Sequence, residues 1–236
     1  MSTPPLKSGI FHQADLFAGL ADADQQTIQW AAKPHQVEKG GFFFYQGDPA
    51  LQVLLLTAGR VRLAQVTPDG QQVVLNLISA GAIFGIISVI QATDYPVSAQ
   101  AMEDSTALVW PRQIMMQLVE KFPPLALNAM RLMADHIQET QNRLRELSTE
   151  RVERRLARTL LRLAAQTGVK TPEGVQIGLP LTRQDLAEMI GTTLYTVSRI
   201  LSQWEGQGLV RSGRERVIIR FPHGLVAIAE DLPARD

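Results

Sequence analysis

Residues 181–210, LTRQDLAEMIGTTLYTVSRILSQWEGQGLV, decide how the C-terminal part of the chain folds. Apolar residues recur at helical spacing until Gly191 ends the pattern, and Thr192 or Thr193 then caps a second helix. The apolar positions of that helix are Val197, Ile200, Leu201 and Trp204. We predict a helix-turn-helix, in which the second helix buries one side and leaves the other free for a major groove.

Polar residues occupy the positions that this motif leaves free. The residues expected at DNA are Arg183, Thr193, Tyr195, Thr196, Ser198, Arg199 and Gln203. Their side chains form hydrogen bonds and include no acid, which suits phosphates and base edges. Double-stranded DNA is therefore the predicted partner, and an ordinary helical hairpin is the alternative.

Composition narrows the class of protein. The chain has 236 residues and 45% hydrophobic content, enough for one large domain or two modest ones. The absence of cysteine excludes disulfides, thiolate zinc sites and cysteine-ligated iron–sulfur clusters. With no long apolar run and no secretory signal, we expect a cytoplasmic protein without a membrane partner. Residues 149–236 hold 13 Lys and Arg against 10 Asp and Glu, whereas residues 1–148 hold 10 against 13.

Short β-rich runs follow one another from about residue 35 to 111, with turn signals such as Pro68-Asp69-Gly70 between them. This pattern predicts a jelly-roll β-barrel and hence an α+β fold. A β-hairpin wing around Ser212-Gly213 is expected after the helix-turn-helix. The expected domains are an effector-sensing barrel at 1–123, a dimerisation helix with a hinge at 124–148, and a winged helix-turn-helix at 149–236.

A long helix is predicted from about residue 124 to 147, with a break at Leu147–Thr149 where Thr149 caps the next helix. One narrow stripe along it comprises Leu127, Met130, Ala134, Ile137, Gln141 and Leu144. Spacing of this kind is typical of a coiled coil, so we expect pairing with a second copy of the chain. Packing of the stripe on the barrel of its own chain is the alternative.

A barrel, a long helix and a winged helix-turn-helix, in that order, resemble the Crp/Fnr family of bacterial transcription regulators. The motifs that carry the resemblance are Lys39-Gly40, Gln46-Gly47-Asp48-Pro49-Ala50, Leu56 and Gly59 with Val61, Phe84-Gly85, Leu181-Thr182-Arg183-Gln184-Asp185-Leu186-Ala187 and Thr196-Val197-Ser198-Arg199-Ile200-Leu201. The resemblance implies a homodimer on a palindromic operator and contact with RNA polymerase. The turn Thr67–Gly70 and the segment 103–113 are the candidates for that contact.

The resemblance also implies roles along the second helix. Arg199 matches the arginine that pairs with guanine, Ser198 a position at the outer half-site bases, and Thr196 a phosphate contact. Tyr195 stands where the family commonly has glutamate, and it is expected against a thymine methyl group or a phosphate. Leu194 replaces an arginine of cyclic-AMP receptors, so the expected operator is a TTG…CAA type of palindrome.

Sensing of cyclic AMP in this family requires a glutamate after Phe-Gly and an arginine before serine. Here Ile86 and Val97 take those places, and a buried phosphodiester without a cation is unfavourable. We therefore expect a different effector, bound in an apolar pocket. The candidate pocket residues are Ile86, Ile87, Val89, Tyr95, Pro96, Val97 and Ser98.

The segment Gly191–Arg199 with Trp204-Glu205 resembles the nitric-oxide-responsive subgroup, which implies haem as cofactor. Haem iron usually takes a histidine ligand, and His136 and His12 are the candidates. For each of the four histidines, His35 and His223 included, the alternative is a surface or hydrogen-bonded residue.

There are two alternative functions. One is a regulator of the same family that needs no ligand. The other is a cupin-like metal enzyme, which the lack of histidine in strands 42–110 argues against. No phosphate-binding glycine loop or nucleophile motif is present, so we do not expect an enzyme.

Overall fold

The structure is a computed structural model that describes residues 10–11 and 14–231. His12 therefore lies outside the described residues. The chain divides into two units, Met1–Glu139 and Thr140–Asp236, which are described separately below.

The first unit is built on two four-stranded antiparallel sheets. Its strands are β1 (Lys33–Val37), β2 (Phe42–Phe44), β3 (Gln52–Ala58), β4 (Arg60–Val66), β5 (Gln72–Ser79), β6 (Ile83–Phe84), β7 (Ser98–Ala101) and β8 (Ser105–Pro111). The orders are β1-β8-β3-β6 and β2-β7-β4-β5, so neighbours in a sheet are mostly distant in sequence. The core draws on both sheets, with Leu54 and Trp110 in one and Val61 in the other fully buried.

Helices pack against this β-structure. They are a 3-10 turn at Asp15–Phe17, α1 (Asp22–Trp30), α2 (Ile86–Gln91), α3 (Arg112–Lys121) and the N-terminal part of α4 (Pro123–Thr149). The Trp110 indole donates to the carbonyl of Ile28 at 2.8 Å, which anchors α1 to the sheet. The sequence prediction lacked α2, because Gly85 before it signals a break and its apolar residues have no polar side.

The break after α4 lies two residues later than the sequence prediction placed it. The hydroxyls of Ser148 and Thr149 donate to the carbonyls of Leu144 and Arg145 at 2.8 Å, so both residues remain helical. The extended residue that precedes the next helix is Arg151. Thr149 as N-cap was therefore wrong, because its hydroxyl bonds backward along its own helix.

The second unit carries the winged helix-turn-helix. After the end of α4 come α5 (Val152–Thr167), β9 (Gly168–Thr171), β10 (Gly174–Ile177), α6 (Arg183–Ile190), α7 (Leu194–Gly206), β11 (Val210–Gly213), β12 (Arg216–Ile219) and α8 (Pro222–Glu230). Its sheet has the order β11-β12-β10-β9. The predicted α+β fold, with jelly-roll, long helix and winged helix-turn-helix, is confirmed.

Two details of this unit differ from the sequence prediction. Ser212 and Gly213 pair with Val217 and Arg216, so they belong to the strands and the wing turns at residues 214–215. The hairpin β9–β10 and the terminal helix α8 were not predicted. Among the described residues, no helix combines the length and the apolar character that crossing a bilayer requires.

Candidate nucleic-acid interface and effector site

The helix α6 is fixed at both ends by local hydrogen bonds. The Thr182 hydroxyl accepts from the backbone N–H of Asp185 at 3.0 Å, and the Asp185 carboxylate accepts from the N–H of Thr182 at 3.0 Å. At the other end Gly191 has φ +62, a conformation that glycine adopts without strain, and its N–H bonds the carbonyl of Ala187. This reciprocal cap and the glycine stop set where the next helix begins.

The helix α7 is divided into a buried apolar side and an accessible polar side. Its N-cap is Thr193, whose hydroxyl accepts from the N–H of Thr196 at 3.2 Å. The residues on the apolar side are at most 3% exposed: Val197, Ile200, Leu201 and Trp204. The amphipathic pattern of the sequence thus orients the helix, because burying this side leaves the opposite one in solvent.

The residues predicted to read DNA are not all equally accessible. Tyr195 is 77% exposed and the Arg199 side chain 55%, and Thr193 and Gln203 are also exposed. Thr196 and Ser198 are half-buried at the edge of the polar side.

Arg183 stands apart, at the start of α6, where it is half-buried. One of its terminal nitrogens donates to the Ser212 hydroxyl of β11 at 3.0 Å. The backbone N–H of Ser212 in turn donates to the carboxylate of Glu205 in α7. The wing is thereby tied to both helices of the motif.

Glu153 is a neighbour of Arg199 that sequence reasoning missed. Its carboxylate Oε1 lies 3.7 Å from a terminal nitrogen of the Arg199 guanidinium. In the sequence Glu153 signals only an acid in the first turn of a helix. The sequence also did not predict the contacts of Ser212 and Glu205, because these contacts depend on how distant segments pack.

The candidate effector residues lie in and beside the core of the first unit. Ile86, Val89 and Tyr95 are buried in it, and Ile87 and Val97 pack against it while half-buried. Pro96 is exposed.

The phenol of Tyr95 is fully engaged in this region. Its ring stacks on Phe44 with centroids 3.7 Å apart. Its hydroxyl donates to the carbonyl of Gln52 at 2.7 Å and accepts from the N–H of the same residue at 3.2 Å. Burial raises the pKa of Tyr95, although the hydrogen bond to Gln52 opposes this shift.

The contacts of Gly85 and Ser98, two residues near Tyr95, explain why a glycine and a serine occupy these positions. Gly85 has φ +79, and a Cβ would come 3.0 Å from the Gln52 carbonyl oxygen and 3.2 Å from the Tyr95 ring. The Ser98 hydroxyl accepts from the N–H of Gln46 at 2.9 Å. The region corresponding to the family's phosphate site therefore presents a hydroxyl that holds a loop, next to the half-buried Val97.

The described histidines are all exposed. His136 lies on α4, on the same side as the buried Ala129 and the partly buried Leu132. His35 contacts the edge of Phe43 at 5.8 Å between ring centroids, and His223 belongs to α8. Within residues 10–11 and 14–231 there is no cluster of three or more His, Asp or Glu side chains that would suit a metal ion.

The stripe predicted on the long helix is exposed along its whole length. Leu127, Met130 and Ile137 are 47%, 59% and 55% exposed, and Leu144 is 65% exposed. Ala134 and Gln141 are exposed as well. A different side of α4, with Leu125, Asn128 and Ala129, is buried in the first unit.

Comparisons with known proteins match two parts of the chain to families. Residues 34–122 match the family described as cyclic nucleotide-binding domain, and residues 154–228 match the one described as Crp-like helix-turn-helix domain. Both matches fall on regions whose folds are described above, the sheets of the first unit and the helices of the second.

Similar full-length proteins are also found. The chain is 30% identical over 192 residues to the global nitrogen regulator of Synechococcus elongatus, covering 80% of this chain and 86% of that protein. It is 31% identical over 205 residues to the cyclic AMP receptor protein of Thermus thermophilus, covering 87% and 92%. The solved catabolite activator protein of Thermus thermophilus aligns with a TM-score of 0.55 and 31% identity, over 93% of this chain and 100% of that chain. These relatives are regulators, in agreement with the prediction that the chain is not an enzyme.

Proposed function

The chain belongs to the Crp/Fnr family of DNA-binding transcription regulators, and we propose that it acts as a homodimer on an inverted-repeat operator, controlled by an effector other than cyclic AMP. DNA binding is supported by one observation: α7 has a buried apolar side and an accessible polar side, on which Tyr195, Arg199 and Gln203 are exposed. A guanidinium placed in this way is able to span O6 and N7 of a guanine, a contact worth about 1–3 kcal/mol of discrimination.

The operator is proposed to be a TTG…CAA type of palindrome, with Ser198 and Arg199 at its outer bases. Thr193, Thr196 and Arg183 are proposed at phosphates or at the edge of the groove, and Tyr195 against a thymine methyl group or a phosphate. Selection of bound duplexes from a random pool with the full chain tests this. Recovery of an inverted repeat with half-sites one helical turn apart supports the proposal, and recovery without any sequence preference overturns it.

The proposed dimer interface is the stripe of α4 from Leu127 to Leu144. Its six residues are spaced at alternating intervals of three and four positions, and their exposure leaves them available to a second copy. Leu125 and Ala129, on a different side of the helix, are buried in its own unit, whereas the stripe is exposed. The alternative that the stripe packs on the barrel of its own chain is therefore wrong. Two α7 helices held by such a dimer would enter successive major grooves about 34 Å apart.

The effector is proposed not to be cyclic AMP, because Ile86 and Val97 supply neither a carboxylate for a ribose nor a cation for a phosphate. Titration of the full chain with cyclic AMP, followed by calorimetry, is expected to give no heat of binding. Tight binding, with a change in DNA affinity, would contradict this part of the proposal.

Haem with nitric oxide is the effector to test first. His136 is the axial ligand proposed for the test, because it lies on the side of α4 that carries the buried Ala129 and the partly buried Leu132. The partly buried Ile87 and Val97 offer apolar surface, whereas Ile86, Val89 and Tyr95 already belong to the core. When bound, haem supplies an iron that binds nitric oxide.

Addition of haem to the purified chain, followed by absorbance, tests this assignment. A Soret band that shifts with nitric oxide and is lost in His136→Ala supports it, and His35→Ala serves as the matched control. If no Soret band forms and DNA affinity does not change on addition of haem and nitric oxide, the chain is better described as a regulator that needs no ligand.

Control by an effector is proposed to act through the hinge between α4 and α5. A dimer with misaligned α7 helices cannot engage both half-sites, so a modest population shift would switch binding. Contact with RNA polymerase is proposed at the turn Thr67–Gly70 and at segment 103–113. Residues 68–70 of the turn are exposed, and the hydrogen bond from the Thr67 hydroxyl lowers the pKa of Asp69.

A further inference from the structure

The first turn of α5 holds three other helices of the second unit through three consecutive residues. Glu153 pairs with Arg199 of α7 at 3.7 Å. Arg154 donates to a carbonyl in the last turn of α8 at 3.4 Å, and Arg155 donates to the last carbonyl of α6 at 3.1 Å. The two arginines bind backbone and so fix helices, whereas Glu153 binds a side chain that is proposed to read a base.

Resting on the proposed function, we propose that Glu153 is a positioning residue that sets the base preference of Arg199. The guanidinium has five N–H donors, of which a guanine takes two. The Glu153 carboxylate engages only one terminal nitrogen, so enough donors remain for the base. A long arginine side chain has many rotamers, and an anchor on one side reduces the number that are populated before DNA arrives.

The exposure of the pair agrees with this role. The side chains of Arg199 and Glu153 are 55% and 41% exposed, so solvent screens the ion pair and leaves it weak. A weak pair biases the guanidinium without preventing it from moving toward a base. The negative charge of Glu153 also lies 3.7 Å from the guanidinium that is proposed to face DNA, so it disfavours binding to any duplex.

Two effects of opposite sign follow for Glu153→Gln. Affinity for all duplexes is expected to rise, because one negative charge near the phosphates is lost. Discrimination at the base pair read by Arg199 is expected to fall by roughly two- to fivefold per half-site, as suits the loss of an exposed ion pair. A residue that merely supported the fold would lower both quantities together.

The experiment uses the full-length wild-type chain and a duplex selected from a random pool by that chain. The base pair read by Arg199 is identified as the one whose preference is lost in Arg199→Ala. Affinity for the selected duplex and for one changed at that base pair is then measured for Glu153→Gln and Glu153→Asp. Glu215→Gln, an exposed acid in the wing turn, is the matched charge control.

Reduced discrimination in Glu153→Gln, partial recovery in Glu153→Asp and no further loss when Glu153→Gln is combined with Arg199→Ala support the inference. Thermal unfolding reports whether the variants fold as the wild type does. Unchanged discrimination, with only the rise in affinity that Glu215→Gln also shows, overturns the inference and leaves the proposed function intact. If the wild-type chain selects no inverted repeat, the proposed function itself fails.

Discussion

Single side chains of the first unit show how closely this region is packed. Tyr95 stacks on Phe44 and bonds both backbone groups of Gln52, which joins the segment after α2 to β3. A Cβ on Gly85 would come within 3.0 Å of the Gln52 carbonyl oxygen and 3.2 Å of the Tyr95 ring, which is a tight contact. An effector that entered here would displace these contacts or bind beside them, at Ile87 and Val97.

Tyr95→Phe is expected to lower the free energy of unfolding by about 1 kcal/mol at neutral pH, because two hydrogen bonds to Gln52 are lost. Burial raises the folded-state pKa of Tyr95 above its ordinary 10.0, so the stability linked to its proton is complete below that pH and is lost as pH rises further. Urea unfolding between neutral and alkaline pH measures both effects. The exposed Tyr45 provides the control Tyr45→Phe, and an alkaline loss that persists unchanged in Tyr95→Phe would contradict the assignment.

Arg199→Ala is expected to remove base discrimination of about 1–3 kcal/mol per half-site while leaving the dimer intact. Competition between selected and altered duplexes measures the discrimination, and sedimentation measures the dimer. Arg183→Ala is the comparison, and it is expected to weaken binding to all sequences alike because Arg183 donates to the wing residue Ser212 and is proposed at a phosphate or the groove edge. Sequence preference that survives in Arg199→Ala would show that the base-reading residue lies elsewhere.

At the scale of elements, Arg154 and Arg158 both join α5 to α8, and Arg158 also reaches the end of α4. Arg158 of α5 donates to the carbonyl of Ala229 at 3.1 Å and lies 3.6 Å from Glu230, both in α8. It also lies 3.6 Å from Glu146, at the end of α4, and 3.2 Å from Glu150, just beyond that helix. The helix α8 and the end of α4 thus share one cation.

Arg158→Gln is expected to destabilise α8 by about 2 kcal/mol, between the values for exposed and buried ion pairs, because three carboxylates lose their common partner. Hydrogen exchange of the α8 amides should become roughly thirtyfold faster. Arg154→Gln is the comparison. Arg154 also donates to the Ala229 carbonyl, at 3.4 Å, but the carboxylate it pairs with, Asp231, is 79% exposed, so a smaller effect is expected. Equal effects of the two substitutions would show that the three carboxylates around Arg158 add nothing to the stability of α8.

At the scale of the whole molecule, the proposal depends on pairing of two copies through α4. The stripe holds four large apolar side chains that are about half exposed or more, a surface that soluble proteins usually cover. Their intervals of three and four place them on one line of the helix, which a second copy could cover along its length.

Ile137→Glu is expected to shift the chain from dimer to monomer, because a charge would be buried against its counterpart in the partner. Analytical ultracentrifugation measures the assembly state, and DNA binding measures its consequence. Inverted repeats should lose affinity by more than tenfold, while the weak affinity for a single half-site is kept. Trp30→Glu places the same charge at an exposed apolar residue outside the stripe and is expected to leave the dimer unchanged. A dimer that persists in Ile137→Glu rules out the stripe as the interface.

The sequence was sufficient for the elements whose signals are local. The period of apolar residues placed α4, α6 and α7, the glycine at 191 placed the turn, and turn residues delimited most strands. These features depend on residues a few positions apart, so an isolated sequence carries them. The stripe of α4 also follows from spacing alone, although neither its exposure nor its partner does.

Only the tertiary structure decided which distant residues meet. Packing brought Glu153 to Arg199, Ser212 to Arg183 and Tyr95 to Gln52, and it supplied the surface on which α8 folds. It also moved the helix break from Thr149 to Arg151, because a hydroxyl that bonds its own helix cannot cap the next one. Such contacts join segments far apart in the chain, and their free energy exists only once the intervening elements have packed.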